Sequence, residues 1–184
     1  MPDESAQEAA DRHIGHALAR FEAGRDVLGG DRKGGPIMSV QAIPDGFHSL
    51  TPYLVVQGAA KLIEFLERAY GAKEIFRMPG PGGIIMHAEV RIGDSVLMVT
   101  DAAREAPMPA SIYLYVTDTD GAYDQALRAG ATSMAKPADM FWGDRFARVR
   151  DPFGNVWNIA THQEDVPPAE LAARARAAAA PGGS

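Results

Sequence analysis

The sequence contains no cysteine, and this absence excludes disulfide bonds, thiolate metal ligands and cysteine nucleophiles. It also lacks an apolar run as long as a membrane-spanning helix. Its 18 Lys and Arg residues are outnumbered by 24 Asp and Glu residues, and no dense basic segment occurs. The first residues carry no secretory signal pattern. These absences predict a cytoplasmic protein that binds neither nucleic acid nor membranes.

Length and composition favour one domain with an extension at each end. The chain has 184 residues, and 46% of them are hydrophobic, enough for one sizeable core. Residues 1–38 are predicted to be an N-terminal extension that ends in a flexible, Gly-rich linker. The domain is expected at 39–165, and residues 166–184 are expected to form a helical tail.

An internal repeat is the strongest pattern in the chain. Residues 53–56 read Tyr-Leu-Val-Val, and residues 113–116 read Tyr-Leu-Tyr-Val. Each run is followed by an amphipathic pattern that ends at a glycine, Gly71 or Gly130, which suits the last turn of a helix. A repeat of this length indicates one duplicated unit. We therefore predict an α+β fold of two β-α-β-β-β modules, at about 48–101 and 111–161.

Several motifs resemble those of the vicinal oxygen chelate superfamily, which includes glyoxalase I, extradiol dioxygenases and bleomycin resistance proteins. They are the Asp-Pro-Phe-Gly-Asn turn at 151–155 and the Ala-Gly-Ala at 129–131. Residues 86–94, Met-His-Ala-Glu-Val-Arg-Ile-Gly-Asp, and 141–145, Phe-Trp-Gly-Asp-Arg, resemble its PhnB-like branch. The resemblance covers about residues 44–165. It implies curved mixed sheets that form a cup, with helices on the convex side.

The resemblance also implies where a metal would lie. The metal enzymes of the superfamily carry His, Glu or Gln ligands on the first and last strand of each module. The matching positions here are Thr51, Met98, Ser111 and Asn158. None of these side chains is a strong ligand for a divalent transition metal. We expect no metal and no other cofactor.

His87 and Glu89 are the candidate catalytic residues. They are separated by one residue in a segment that alternates as a strand does, so their side chains share a face. Three interpretations stay open: a pocket lining able to move a proton, a structural polar cluster, or a displaced metal site completed by His48 or His162.

Aromatic side chains accompany these polar groups. Tyr53, Tyr113 and Tyr115 are expected on or near the concave face, and Trp142 beside Arg145 could form a rim for a planar or anionic ligand. The predicted ligand-binding set is Tyr53, Thr51, Met98, Ser111, Tyr113, Trp142, Arg145 and Asn158.

Together these patterns favour a metal-free protein that binds a small organic molecule in the cup between modules. The alternatives are a metal-dependent lyase or dioxygenase of the same superfamily, and a metal-free acid–base enzyme that uses His87 and Glu89. A homodimer is expected, because the superfamily commonly pairs its modules and because exposed sheet edges favour pairing.

Overall fold

The computed structural model describes residues 41–103 and 106–179. The predicted extension at 1–38 lies outside the described residues. The chain divides between Ser49 and Leu50 into two units, and all the elements below belong to the second. No helix of the described residues is long and apolar enough to cross a membrane.

The α-helices and β-strands of the described residues follow the order strand, helix and three strands, twice over, and then a helix. They are β1 (Tyr53–Val56), α1 (Ala59–Tyr70), β2 (Lys73–Pro79), β3 (Ile85–Ile92), β4 (Ser95–Asp101), β5 (Ser111–Tyr115), α2 (Thr119–Ala129), β6 (Thr132–Asp139), β7 (Asp144–Arg150), β8 (Val156–His162) and α3 (Pro168–Ala178).

The prediction of two β-α-β-β-β modules is confirmed. Each module has its own four-stranded mixed sheet, in the order β1-β4-β3-β2 and β5-β8-β7-β6. The first and last strands of each module are parallel, and the other neighbours are antiparallel. The helix after the first strand crosses over the sheet, as a parallel pair requires.

Helix α1 forms where apolar residues recur at helical spacing. Leu62, Phe65 and Leu66 are buried on one side of it, and it ends at Gly71, whose φ of 63° suits a residue without a side chain. Its N-terminus is capped by a side chain of β4. Asp101 accepts hydrogen bonds from the backbone N–H groups of Gly58 and Ala59, at 2.9 and 2.8 Å. A carboxylate there also favours the helix dipole.

The two modules share one core, and they meet through their helices. Helix α1 contacts α2, and Gln125 on α2 donates a hydrogen bond to the carbonyl of Arg68 on α1, at 2.7 Å. The rings of Tyr70 and Trp157 lie 4.9 Å apart between the modules. The helices therefore lie together at the centre, and the opposite face of each sheet points away from this core.

The turn at 151–155 is built around a buried carboxylate. Asp151 accepts hydrogen bonds from the backbone N–H groups of Phe153 and Asn155, both at 2.9 Å. It also accepts from Asn155 Nδ2 at 2.8 Å and from Trp157 Nε1 at 3.0 Å. Asn155 in turn accepts from the N–H of Ala110, which precedes β5. The turn therefore joins the first and last strands of the second module.

Candidate functional site

We call the sheet surface turned away from the helices the open face of each module. In module 2, alternate residues of β7 and β8, among them Ala147, Val149, Trp157 and Ile159, are buried in the core. The residues between them point the other way. The open face of module 2 is formed by Ser111, Tyr113, Tyr115, Asp144, Phe146, Arg148, Asn158 and His162.

Asp144 is the centre of this face. Its side chain is 4% exposed, and it accepts four hydrogen bonds. The donors are Tyr113 Oη at 3.1 Å, Tyr115 Oη at 3.3 Å, Trp142 Nε1 at 3.2 Å and His162 Nδ1 at 2.9 Å. A buried carboxylate with this many donors is held in one position and stabilises the rings around it.

These contacts set the ionisation of the cluster. Burial alone would raise the pKa of Asp144, but the hydrogen bonds from His162, Tyr113, Trp142 and Tyr115 lower it below its ordinary value. Burial and the hydrogen bond to the charged Asp144 raise the pKa of Tyr113 to about 12. Asp144 is therefore a carboxylate near neutral pH, and Tyr113 is a neutral phenol that donates.

His162 lies between two carboxylates. Its Nδ1 contacts Asp144 at 2.9 Å, and its Nε2 contacts Asp165 at 3.0 Å. The hydrogen bonds to Asp144 and then to Asp165 raise the pKa of this imidazole. Because Asp144 can only accept, Nδ1 carries a proton, and Nε2 faces outward on a side chain that is half exposed.

Arg148 is an arginine of the open face of module 2. It is exposed, and its Nε donates to Asn158 Oδ1 at 2.9 Å. Asn158 is held in turn, because its Nδ2 donates to Ser111 Oγ and to the carbonyl of Ile112, both at 3.1 Å. The guanidinium is therefore positioned by an amide that has its own fixed partners.

Aromatic rings fill the space along the face. Tyr113 lies 5.9 Å from Phe146 and 5.1 Å from Tyr115 between ring centroids. Trp142 lies 5.8 Å from Phe146 and meets it edge to face. Tyr113 and Tyr115 are 46% and 62% exposed, so the ring surfaces are open to a ligand.

Arg145 does not join this site, and its predicted place in the pocket is corrected. It hydrogen-bonds Asp120 of α2 at 2.7 and 2.8 Å and Asp139 of β6 at 3.1 Å. The reason is strand parity: Asp144 points to the open face, so Arg145 points to the helix side. Arg148 has the same parity as Asp144 and therefore points to the open face.

The open face of module 1 holds the candidate pair from the sequence. His87 Nε2 lies 3.4 Å from Glu89 Oε1, and the two side chains are 26% and 11% exposed. The His87 ring lies 6.2 Å from Tyr53 and 6.1 Å from Phe76. The structure thus brings His87, Glu89 and Tyr53 to one side of the sheet.

The repeat places corresponding residues in corresponding rows. In module 1, Glu89 pairs with Met98, and Met98 pairs with Tyr53. In module 2, Arg148 pairs with Asn158, and Asn158 pairs with Tyr113. The two rows occupy equivalent positions on the open faces of the two modules. The row of module 1 carries the carboxyl group of Glu89, and the row of module 2 carries the guanidinium of Arg148.

The residues at the four metal positions of the superfamily do not fit a metal. Thr51, Met98 and Ser111 offer hydroxyls and a thioether, and the Asn158 amide is already bonded to Arg148 and Ser111. Among the described residues, no three His, Asp or Glu side chains are grouped as metal ligands. We therefore derive no chemistry through a metal.

Three residues of the open face of module 2 are absent from the ligand-binding set predicted from the sequence: Asp144, Phe146 and Arg148. Alternation along β7 carries the signal, because Ala147 and Val149 are apolar and small enough to face the helices. Asp144, Phe146 and Arg148 then share the other face. The contact of Asp144 with two tyrosines and a histidine from other strands carries no local signal.

Comparison with known proteins agrees with the fold. The protein Rv0887c of Mycobacterium tuberculosis (strain H37Rv) is 35% identical over 144 residues, which are 72% of this chain and 82% of the relative. TioX from Micromonospora sp. ML1 matches with a TM-score of 0.53 and 23% identity, over 62% of this chain and 99% of TioX. The PhnB protein from Bacillus cereus matches with a TM-score of 0.51 and 13% identity, over 62% of this chain and 99% of that protein.

At such identities the two structural matches show the fold alone. The family assignment comes from the sequence: residues 46–159 match the Glyoxalase/Bleomycin resistance protein/Dioxygenase superfamily. This span is more than half of the chain and covers module 1 and all of module 2 except the end of β8, so the resemblance seen in the motifs is confirmed. The chain belongs to the glyoxalase/bleomycin resistance protein/dioxygenase superfamily.

Proposed function

We propose that this protein is a PhnB-like, binding-type member of its superfamily. It holds a small organic acid with an aromatic body on the open face of module 2, without a metal. The observation that carries the proposal is Arg148, an exposed arginine held by Asn158 on a sheet face lined with aromatic rings.

Arg148 suits a carboxylate. Its hydrogen bond to Asn158 uses Nε, so the terminal nitrogens can pair with the two oxygens of a ligand's acidic group. Because Asn158 is itself fixed by Ser111 and Ile112, less freedom is lost when a ligand binds.

The rings beside Arg148 suit the rest of such a ligand. Tyr113 pairs across the sheet with Asn158, the partner of Arg148. Phe146 lies two residues before Arg148 on β7. Aromatic walls with a few fixed polar groups are typical of small-molecule sites. A flat, apolar body can stack there while its acid reaches the guanidinium.

Metal-independent binding is supported by the donor chemistry. The four positions that would ligate a metal hold Thr, Met, Ser and Asn, and Asn158 is used to position Arg148. The metal-dependent lyase or dioxygenase that the resemblance implies would need other ligands.

A homodimer would complete the site. Tyr53, Tyr113 and Tyr115 are each about half exposed or more, at 51%, 46% and 62%. A second copy that covers these faces would bury this apolar area and enclose the ligand. We expect sedimentation velocity to show a dimer at micromolar concentration. A single monomeric species throughout a concentration series would contradict this part of the proposal.

The main test compares an aromatic acid with its uncharged analogue. We expect biphenyl-4-carboxylate to bind more tightly than biphenyl-4-carboxamide in isothermal titration calorimetry. Arg148→Gln should weaken binding of the acid by about 10–100-fold, because a charge-assisted hydrogen bond is lost. Dialysis against EDTA should leave the affinity of the wild type unchanged.

Arg145→Gln is the matched control, since it removes the same charge on the helix side of the same strand. It should leave the affinity for the acid within about twofold of the wild type. Equal binding of acid and amide, or equal losses in the two variants, would overturn the proposal. Loss of binding after EDTA would overturn its metal-independent part.

A second function is favoured by one observation. His87 and Glu89 face each other at 3.4 Å on the open face of module 1, which is a suitable pair for proton transfer. A metal-free acid–base enzyme would use them on a ligand bound at the open face of module 1. Turnover that is lost in His87→Ala while affinity is retained would favour this function over simple binding.

A further inference from the structure

A second cationic position lies on the open face of module 2, at the far end from Arg148. Arg148 is opposite Asn158, and Asp144 is opposite His162. Four residues therefore separate the two positions along each strand, roughly 13 Å at the usual rise per residue. His162 and Arg148 are at opposite ends of one surface.

The surface between these two ends is aromatic. Phe146 lies between Arg148 and Asp144 on β7, and Tyr113 and Trp142 each lie within 6 Å of it, centroid to centroid. The carboxylate of Asp144, which would repel an anion, is 4% exposed and already bonded by four donors. A ligand lying on this surface meets rings in the middle and a cation at each end.

The outward nitrogen of His162 already holds an acidic group. Asp165 Oδ1 lies 3.0 Å from Nε2, although the Asp165 side chain is otherwise fully exposed. The segment that carries Asp165 is fixed at its start, because the N–H groups of Gln163 and Glu164 both donate to the carbonyl of Gly143. A side chain at Gly143 would collide with the backbone of Glu164, so this close approach depends on glycine.

The groups that face His162 explain why an anion is held there. Asp144 from β7 accepts the proton of Nδ1, and the neutral phenols of Tyr113 and Tyr115 from β5 donate to Asp144. Asp165, from the segment after β8, is the other charged neighbour. With Asp144 balancing one charge, a protonated His162 can donate from Nε2 to an anion.

We propose that the ligand is a flat aromatic molecule with an acidic group at each end. One acid pairs with Arg148, and the other takes the place of Asp165 on His162 Nε2. This inference rests on the proposed function, since it assumes binding on the same face, and it adds a second recognition point and a chemical class of ligand. Asp165 then acts as the chain's own occupant of the second position.

The experiment compares biphenyl-4,4′-dicarboxylate with biphenyl-4-carboxylate by calorimetry near pH 6. We expect the diacid to bind about tenfold more tightly than the monoacid, because it gains one charge-assisted hydrogen bond. His162→Gln should reduce this ratio towards one. Asp165→Asn should increase the affinity for the diacid several-fold, because a competing carboxylate is removed. The ratio should also fall as the pH rises through the raised pKa of His162.

Asp139→Asn is the control for Asp165→Asn, because Asp139 is an exposed acid that bonds Arg145 on the other face; it should not change either affinity. If the monoacid binds through Arg148 but the diacid has no advantage, or if His162→Gln keeps that advantage, this inference is overturned and the proposed function stands. If neither acid binds, both are overturned.

Discussion

Replacing Asp151 with alanine is expected to lower the free energy of unfolding by about 3–5 kcal/mol. Asp151 is 3% exposed and Asn155 is fully buried. The alanine would leave four donors without their acceptor: two backbone N–H groups, the Asn155 amide and the Trp157 indole. Buried donors that lose their partner lose hydration as well as the hydrogen bond, so the loss is larger than for an exposed acid.

Urea unfolding followed by tryptophan fluorescence measures this loss, since Trp157 is buried in the native state. The control is Asp139→Ala, which removes an acid whose side chain is 72% exposed and should change stability by less than about 1 kcal/mol. A similar, small change in both variants would contradict the view that Asp151 organises the turn.

Replacing Asp144 with alanine is expected to lower the free energy of unfolding by about 2–4 kcal/mol and to lower the pKa of His162. The variant removes the acceptor of Tyr113, Tyr115, Trp142 and His162 at once. The hydrogen bond to Asp144 is the largest cause of the raised pKa of His162, so its removal should bring that pKa back towards its ordinary value.

The loss of stability caused by Asp144→Ala should become smaller at strongly acidic pH. The pKa of Asp144 is lowered in the folded state. The contribution of Asp144 to the free energy of unfolding is therefore fully present above the pKa of an aspartate in the unfolded chain, about 3.9. It is lost as the pH falls through the lower, folded value. Unfolding curves of the variant and the wild type should therefore converge at strongly acidic pH.

A proton NMR titration of the imidazole signals measures the pKa of His162. Asp120→Ala is the matched control, because it removes a carboxylate that pairs with Arg145 on the helix side. It should leave the titration of His162 unchanged. An unchanged His162 titration in Asp144→Ala would contradict the assigned role of this carboxylate.

Much of the fold could be predicted from local pattern. The repeat of a strand, a helix and a glycine stop predicted both modules, because a helix and a strand each leave a periodic apolar signal. The same periodicity predicted that His87 and Glu89 share a face, and the structure places them on the open face of module 1. The predicted domain bounds and the binding roles of these residues stay predictions.

The second module shows where local pattern was insufficient. Trp142, Asp144 and Arg145 lie at the hairpin where β7 begins, and a shift of one residue there exchanges the two faces. The prediction placed Arg145 in the pocket, whereas the pairing of β7 with β8 points Arg148 to it. The apolar residues Ala147 and Val149 decide this parity, since they belong to the core.

The sequence by itself determined the superfamily, the two modules and the absence of strong ligands at the four metal positions, because each depends on residue type and spacing along the chain. Only the tertiary structure decided which side chains meet. The cluster around Asp144 brings residues of β5, β7, β8 and the preceding hairpin together. Such contacts depend on strand register and on the direction of each side chain, which only the pairing of distant strands establishes.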